Sequence, residues 1–234
     1  MTTFALIPGA GADQWYWSRL VPLLQARGHE ALTPELPVSD PDAGWDAYAD
    51  AVAAAIGYSA SVVVVGQSMG AFTAPLLCSR VDVAGIALLC PMIPAPGDTG
   101  NDWWEAAGQD ASARAAAERE DRDPDAPFDL ETMFLHDLAP EVKAELLSRP
   151  EPEQIDRTFE EPWPLEAWPD VPTTVMAGTR DRLFPLDLVE RLARERLGLN
   201  HVDTVDSGHL AALVQPNQVA TWLLGAISGT NGRG

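Results

Sequence analysis

Val62-Val63-Val64-Val65 is the densest apolar run of the chain, and it stops at Gly66-Gln67-Ser68-Met69-Gly70. Branching at Cβ suits a pleated strand, and an unbroken apolar run suits one buried on both faces. Phe4 to Ile7, His29 to Leu32, Val83 to Cys90, Thr173 to Ala177 and His201 to Val205 are shorter runs that predict further strands, bounded by glycine, proline or polar clusters. Between them the apolar positions change to helical spacing. Trp17, Leu20, Val21 and Leu24 form one stripe before Gly28. Trp45, Tyr48, Val52 and Ile56 form another before Gly57, and Leu186, Val189, Leu192 and Ala193 a third. Ala71 to Arg80 and Pro216 to Leu224 also read as helices, the latter with proline near its start. Repeated alternation of strand and helix predicts the α/β class: a mostly parallel sheet flanked by helices, with functional residues in loops at the carboxyl ends of the strands.

The alternation lapses between residues 92 and 170. Pro94, Pro96 and Gly97 open a stretch holding Trp103-Trp104, an Ala-rich charged helix near Ala111 to Glu120, and the Asp- and Pro-rich run Asp121 to Pro127. Phe134, Leu138, Val142, Leu146 and Leu147 suggest more helix, and prolines then break the chain repeatedly up to Pro169. The expected organisation is an α/β core from 1–91 and 171–234 with an inserted helical cap over 92–170. Such a cap would cover the crevice at the strand ends and shape a pocket there. Trp103, Trp104 and His136 are candidate pocket residues within it. Packing of cap on core is the simpler role for any one of Trp103, Trp104, Trp163 and Trp168.

Composition changes this picture little. A length of 234 residues with 46% hydrophobic residues accommodates one α/β domain and an insertion. A formal charge of -20, from 35 acidic against 15 basic residues, disfavours nucleic acid and anionic membranes as partners. Cys78 and Cys90 lie in apolar surroundings with no metal-type spacing, so they read as buried fillers and not as a disulfide or zinc framework. Residues Met1 to Pro8 lack the pattern of a signal peptide, and no run approaches a membrane span, so a soluble, cytoplasmic protein is expected. His29, at a strand start beside Gly28, reads as a solvated loop histidine.

Candidate chemistry gathers at the strand ends. Gly66 and Gly70 flank Ser68 at minus two and plus two, the arrangement of a sharp strand-to-helix turn that exposes a nucleophile. A serine hydroxyl needs a base, and the base needs a carboxylate to fix its tautomer. Asp181 and His209 each follow a predicted strand, in the order Ser, Asp, His. The small-residue loop Pro8 to Ala12 follows the first strand, and the Ala10 N–H could join that of Met69 in an oxyanion hole. Asp170, Asp187, Asp203 and Asp206 are rival acids, but only Asp181 stands directly after a strand and inside the run Gly178 to Pro185. His201 is expected within a strand, and the His136-Asp137 pair reads as a cap hydrogen-bonding pair or pocket wall. Neither a metal site nor a cofactor is implied.

Gly66-Gln67-Ser68-Met69-Gly70, the run Gly178 to Pro185 and Ser207-Gly208-His209 resemble the α/β-hydrolase superfamily. More narrowly, Pro8 to Ala12 with Trp15, Trp17, Leu20 and Val21-Pro22-Leu23-Leu24, then Gly28-His29-Glu30, is similar to the plant-type methylesterase and hydroxynitrile-lyase group and its bacterial relatives. Phe134-Leu135-His136-Asp137, Pro140-Glu141 and Arg149-Pro150 resemble that group too. Pro8 stands where many members carry the histidine of a His-Gly loop, a departure that leaves backbone donors in place. Lyases of the group carry a lysine directly after the catalytic histidine, where this chain has Leu210. Dehalogenases and epoxide hydrolases of the same fold carry aspartate at the position of Ser68. The resemblance therefore implies a cofactor-free serine esterase that acts on a small, largely apolar ester through Ser68, Asp181 and His209. Ala10 and Met69 would form the oxyanion hole, and Gly9 and Leu210 would join the pocket. A lyase, cyclase or thioesterase using the same residues, or a binding protein on a hydrolase core, are the alternatives. The expected partners are a small-molecule ester and, at most, a second copy in a homodimer.

Overall fold

β1 (Thr3–Ile7), β2 (Glu30–Leu32), β3 (Val62–Gln67), β4 (Val83–Leu89), β5 (Thr173–Gly178) and β6 (Asp203–Val205) form a parallel sheet in the order β2-β1-β3-β4-β5-β6 in the computed structural model. The structure describes residues 1–150 and 152–230, with side chains up to 226. Strand order reverses between β1 and β3, so the chain leaves these neighbouring strands in opposite directions and a crevice opens at their carboxyl ends. Ile7 lies opposite Gly66 in the register, which brings the loops after β1 and β3 side by side.

Every residue of β1 and β3 is buried, as the unbroken apolar runs require of central strands. Ala5, Ile7, Val62 and Val64 face one cluster with α2 (Trp45–Ile56), α3 (Gly70–Thr73) and α8 (Leu186–Leu197). Phe4, Leu6, Val63 and Val65 face the other, with Trp17, Leu24 of α1 (Val21–Gln25), α9 (Ala211–Val214) and α10 (Pro216–Thr230). The two-residue period of the strand thus feeds two cores.

The helical stripe from Trp17 to Leu24 is not one helix. A 3-10 turn at Gln14–Trp17, capped by the Asp13 carboxylate on the Trp15 N–H at 2.8 Å, precedes α1, where Pro22 sits in the first turn. Trp17, Leu20 and Leu24 are fully buried all the same, so the apolar spacing reports the face and not the continuity of the helix. Ala71 to Arg80 divides in the same manner: α3 gives way to a 3-10 segment at Ala74–Ser79, which contains Pro75 and its missing N–H. His201 precedes β6 and is exposed, with Nε2 3.1 Å from Asp203 Oδ1. His29 is half-buried and engaged: its Nδ1 accepts the Thr2 N–H at 3.3 Å and its ring lies 5.6 Å from that of Phe4. Cys90 is buried, whereas Cys78 is only partly so.

The long β4–β5 connection carries α4 (Gly100–Ala106), α5 (Gln109–Arg119), a π-turn at Glu131–Leu135, α6 (Pro140–Ser148) and α7 (Arg157–Glu160). One indole crosses its seam with the core, and two more tie the connection to its own first residues. Trp103 Nε1 donates to Ile93 O at 2.7 Å, Trp163 Nε1 to Phe72 O at 2.9 Å and Trp168 Nε1 to Pro94 O at 3.1 Å. Trp103 and Trp163 are buried and Trp168 is half-buried, and each still finds an acceptor for its N–H. Charged contacts join in, with Arg196 on Asp98 at 2.7 Å and Arg182 on Glu120 at 3.0 Å. Among the described residues no helix is long and apolar enough to cross a membrane.

Candidate active site

Ser68 has φ of 50°, the left-handed region that a residue bearing Cβ enters at a cost of about 1–3 kcal/mol. The surroundings impose it. Ser68 N–H donates to Leu89 O at 3.2 Å, and its carbonyl accepts from Ala71 at 3.1 Å and Met92 at 3.0 Å. Glycine at both flanks is a spatial requirement. A Cβ on Gly66 would lie 2.7 Å from Gly70 O, and one on Gly70 would lie 2.6 Å from Ile7 O. Helix α3 therefore starts directly against the end of β1.

The loop after β1 is pinned to this turn. Gly9 N–H donates to Gln67 Oε1 at 2.8 Å, and a Cβ at Gly9 would lie 2.7 Å from Ser68 Cβ. Gly11, with φ of 68°, then turns the loop away, so Ala10 is exposed beside Ser68. No acceptor among the described residues takes the N–H of Ala10 or of Met69. The side chain of Gln67, the variable residue of the G-x-S-x-G pattern, gave no sequence signal of its role as the clasp.

Asp181 and His209 come together from the ends of β5 and β6. His209 Nδ1 lies 2.8 Å from Asp181 Oδ2, and both side chains are 1% exposed. The other carboxylate oxygen accepts from the N–H groups of Leu183 and Phe184, each at 2.9 Å. Three donors thus satisfy a carboxylate that burial alone would make costly. Since a carboxylate only accepts, Nδ1 carries a proton, and Nε2 is the nitrogen that bears the lone pair in the neutral form of the ring. Nε2 is buried and has no hydrogen-bond partner among the described residues. The imidazole stands between Phe184 and Phe134, edge to face at 5.0 and 5.2 Å. Sequence pattern points to neither ring as its neighbour, although Phe184 lies in the family-like run after β5. Gly178 allows β5 to reach the histidine loop, since a Cβ there would lie 2.3 Å from Ser207 O.

Ser68 and His209 line one cavity of about 540 Å³ under the β4–β5 connection, together with Gly9, Ala10, Met69, Trp104 and Leu210. Its walls are mainly apolar, with Phe134, Leu135, Leu146 and Leu213 among them. Arg149, a charged residue of the lining, is occupied at the mouth: its guanidinium bonds Asp13 at 2.7 Å and lies over the Trp15 ring at 5.3 Å. Two expected pocket residues are elsewhere. Trp103 is fully buried in the seam and does not reach the cavity. His136 lies behind the site, its Cε1 2.8 Å from where a Cβ on Gly208 would be. Burial, then the nearby Arg182, holds its pKa below the ordinary histidine value. Burial, reinforced by Asp181, pushes the Cys90 thiol well up, which keeps it protonated beside the site. The rival acids Asp170, Asp187, Asp203 and Asp206 make no bond to His209.

The sequence matches the alpha/beta hydrolase family over residues 4–222. No curated relative matches it. Solved structures with this fold include a pyrethroid hydrolase from Sphingobium faniae JZ-2, at 20% identity and a TM-score of 0.74 over 97% of both chains. Polyneuridine aldehyde esterase aligns at 19% identity and a TM-score of 0.72, over 96% of this chain and 98% of that one. The methylesterase protein MES16 from Arabidopsis aligns at 19% identity and a TM-score of 0.74, over 98% of this chain and 100% of that one. Sheet order, strand-end loops and family match agree with the resemblance drawn from the motifs: the chain is a hydrolase of the alpha/beta hydrolase family.

Proposed function

We propose that this protein is a serine carboxylesterase whose segment 92–170 caps the site. The observation that carries the reading is the buried His209: its Nδ1 is committed to Asp181 at 2.8 Å, its Nε2 has no partner among the described residues, and it lines the same cavity as Ser68. Ser68 Oγ attacks the ester carbonyl and gives its proton to His209 Nε2. Asp181 holds the tautomer that can take it and stabilises the imidazolium. The N–H groups of Ala10 and Met69, close to Ser68 and without another acceptor, receive the charge that develops on the carbonyl oxygen. His209 then returns the proton to the departing alcohol, and water, activated by the same nitrogen, releases the acid from Ser68.

Apolar walls, with Arg149 already neutralised by Asp13, favour an uncharged ester that is apolar on both sides of the scissile bond. Leu210 lines the cavity where the lyases carry an ammonium, so no cation is placed to stabilise a leaving cyanide. Pyrethroid hydrolase and methylesterase structures of the same fold are consistent with an ester substrate. The test is hydrolysis of a panel of aryl and alkyl esters, thioesters and lactones by wild type and Ser68→Ala. Esters are expected to be turned over fastest and Ser68→Ala to lose about 10³-fold or more in kcat. Equal rates in the two proteins would sink the reading.

A further inference from the structure

Asp137 places a carboxylate that is 1% exposed in the turn after the π-turn, outside the cavity lining. Burying such a group is costly unless donors surround it. Here the compensation is partial. Oδ2 accepts the Gly208 N–H at 2.6 Å and lies 3.6 Å from the Arg180 guanidinium, while Oδ1 is buried with no partner among the described residues. A buried, under-satisfied carboxylate calls for an explanation beyond packing. Its chief partner supplies one, because Gly208 immediately precedes His209.

The histidine loop is held on one side by the core. Arg180 N–H donates to Ser207 O at 3.0 Å, and the end of β5 lies so close that only glycine fits at 178. On the other side the cap takes over. Phe134 meets the His209 ring edge to face at 5.2 Å, and three residues later Asp137 holds the amide of the preceding residue. Gly208 has no side chain because His136 and Asp137 fill that space, at 2.8 and 2.9 Å from an added Cβ. One cap turn therefore touches both the imidazole and the backbone that carries it. Asp181 fixes Nδ1 but does not fix where the backbone sets the far edge of the ring, and Nε2 is the atom that must meet Ser68.

We propose that Asp137 is a positioning residue, which by holding the Gly208 amide sets the His209 backbone and so the placement of Nε2 against Ser68. The inference rests on the reading of His209 as the base. Since Asp137 does not touch the cavity, its effect falls on the chemical step. Asp137→Ala is expected to lower kcat about 10- to 100-fold with KM changed less than about twofold, because small misplacements of a reacting group cost that much. Inactivation by a fluorophosphonate should slow by the same factor. Asp137→Asn keeps a carbonyl oxygen for the Gly208 N–H and should recover most of the rate, which a role confined to folding or charge does not explain. Gly208→Ala, which drives a Cβ into His136 and Asp137, should show the same loss in kcat and decides the matter with Asp137→Asn should Asp137→Ala fail to fold. Wild-type kcat in Asp137→Ala and Gly208→Ala, or equal impairment of the Ala and Asn variants at position 137, would overturn the proposal. His209→Ala separates the two levels: if it is inactive while Asp137→Ala is fully active, only the positioning role fails, and if it is fully active, the reading of the site fails.

Discussion

Ser68 and His209 share a cavity but are held by different physics. Around Ser68 the constraints are mostly close backbone approaches: a Cβ on Gly66 or Gly70 would come within 2.6–2.7 Å of a carbonyl oxygen, one on Gly9 within 2.7 Å of Ser68 Cβ, and backbone hydrogen bonds fix the left-handed serine. Around His209 they are side chains from separate elements: the Asp181 carboxylate, the rings of Phe184 and Phe134, and the Asp137 carboxylate from the β4–β5 connection. Ser68 sits in the turn directly after β3, whereas His209 is held by side chains from the strand-end loops and from the β4–β5 connection. Substitutions on the first side should fail by sterics, and those on the second by lost orientation.

The largest expected effect sharpens the second half of that contrast. Asp181 Oδ1 faces two backbone N–H groups, so in Asp181→Asn the amide oxygen must take that place and its NH2 must face His209. Nδ1 then has to accept, the proton moves to Nε2, and the base is in the wrong tautomer. A fall of about 10⁴-fold in kcat with little loss of thermal stability is expected, as for triads of this kind. Steady-state kinetics beside a thermal melt checks it.

A smaller loss tests the glycine side. Gly9→Ala puts a methyl group 2.7 Å from Ser68 Cβ and 2.8 Å from Gln67 Oε1, so the loop must withdraw and carry the Ala10 N–H with it. Loss of one oxyanion donor corresponds to about 10²- to 10³-fold in kcat. Unchanged turnover in a folded Gly9→Ala protein would remove Ala10 from the mechanism.

The smallest effect concerns pH and separates the two sides again. Burial and Arg182 hold the His136 pKa below its unfolded value near 6.5, so the unfolded chain takes up this proton first as pH falls. The contribution to stability is complete above about pH 6.5 and declines as the pH drops toward the depressed folded value. His136→Phe should therefore lose less thermal stability than wild type between pH 7 and pH 5.5, as read by differential scanning calorimetry. An identical decline in both proteins would show that His136 contributes nothing to it.

The same contrast explains what could be read from the sequence. Glycine at 66 and 70 marks close backbone approach, a constraint local enough to show as a short motif, and the valine run names its own strand. Asp181 and His209 were readable because each directly follows a strand, and topology brings strand ends together. Phe134 and Asp137 act on His209 and Gly208 from more than 70 residues away, with no spacing that encodes the contact. Trp103 and His136 were misplaced for a related reason. An indole or imidazole in a cap can face the cavity or the seam, and only the packed structure decides. The broken helices at Pro22 and Pro75 show the limit of periodicity, which reports the buried face even where the backbone does not follow one helix.

The most direct test of the account is the site of covalent labelling. A fluorophosphonate probe, followed by proteolysis and mass spectrometry, should place the single adduct on the peptide containing Ser68. The label should disappear in Ser68→Ala and form far more slowly in His209→Ala. An adduct on another residue, or undiminished labelling of Ser68→Ala, would contradict the assignment of Ser68 as the nucleophile.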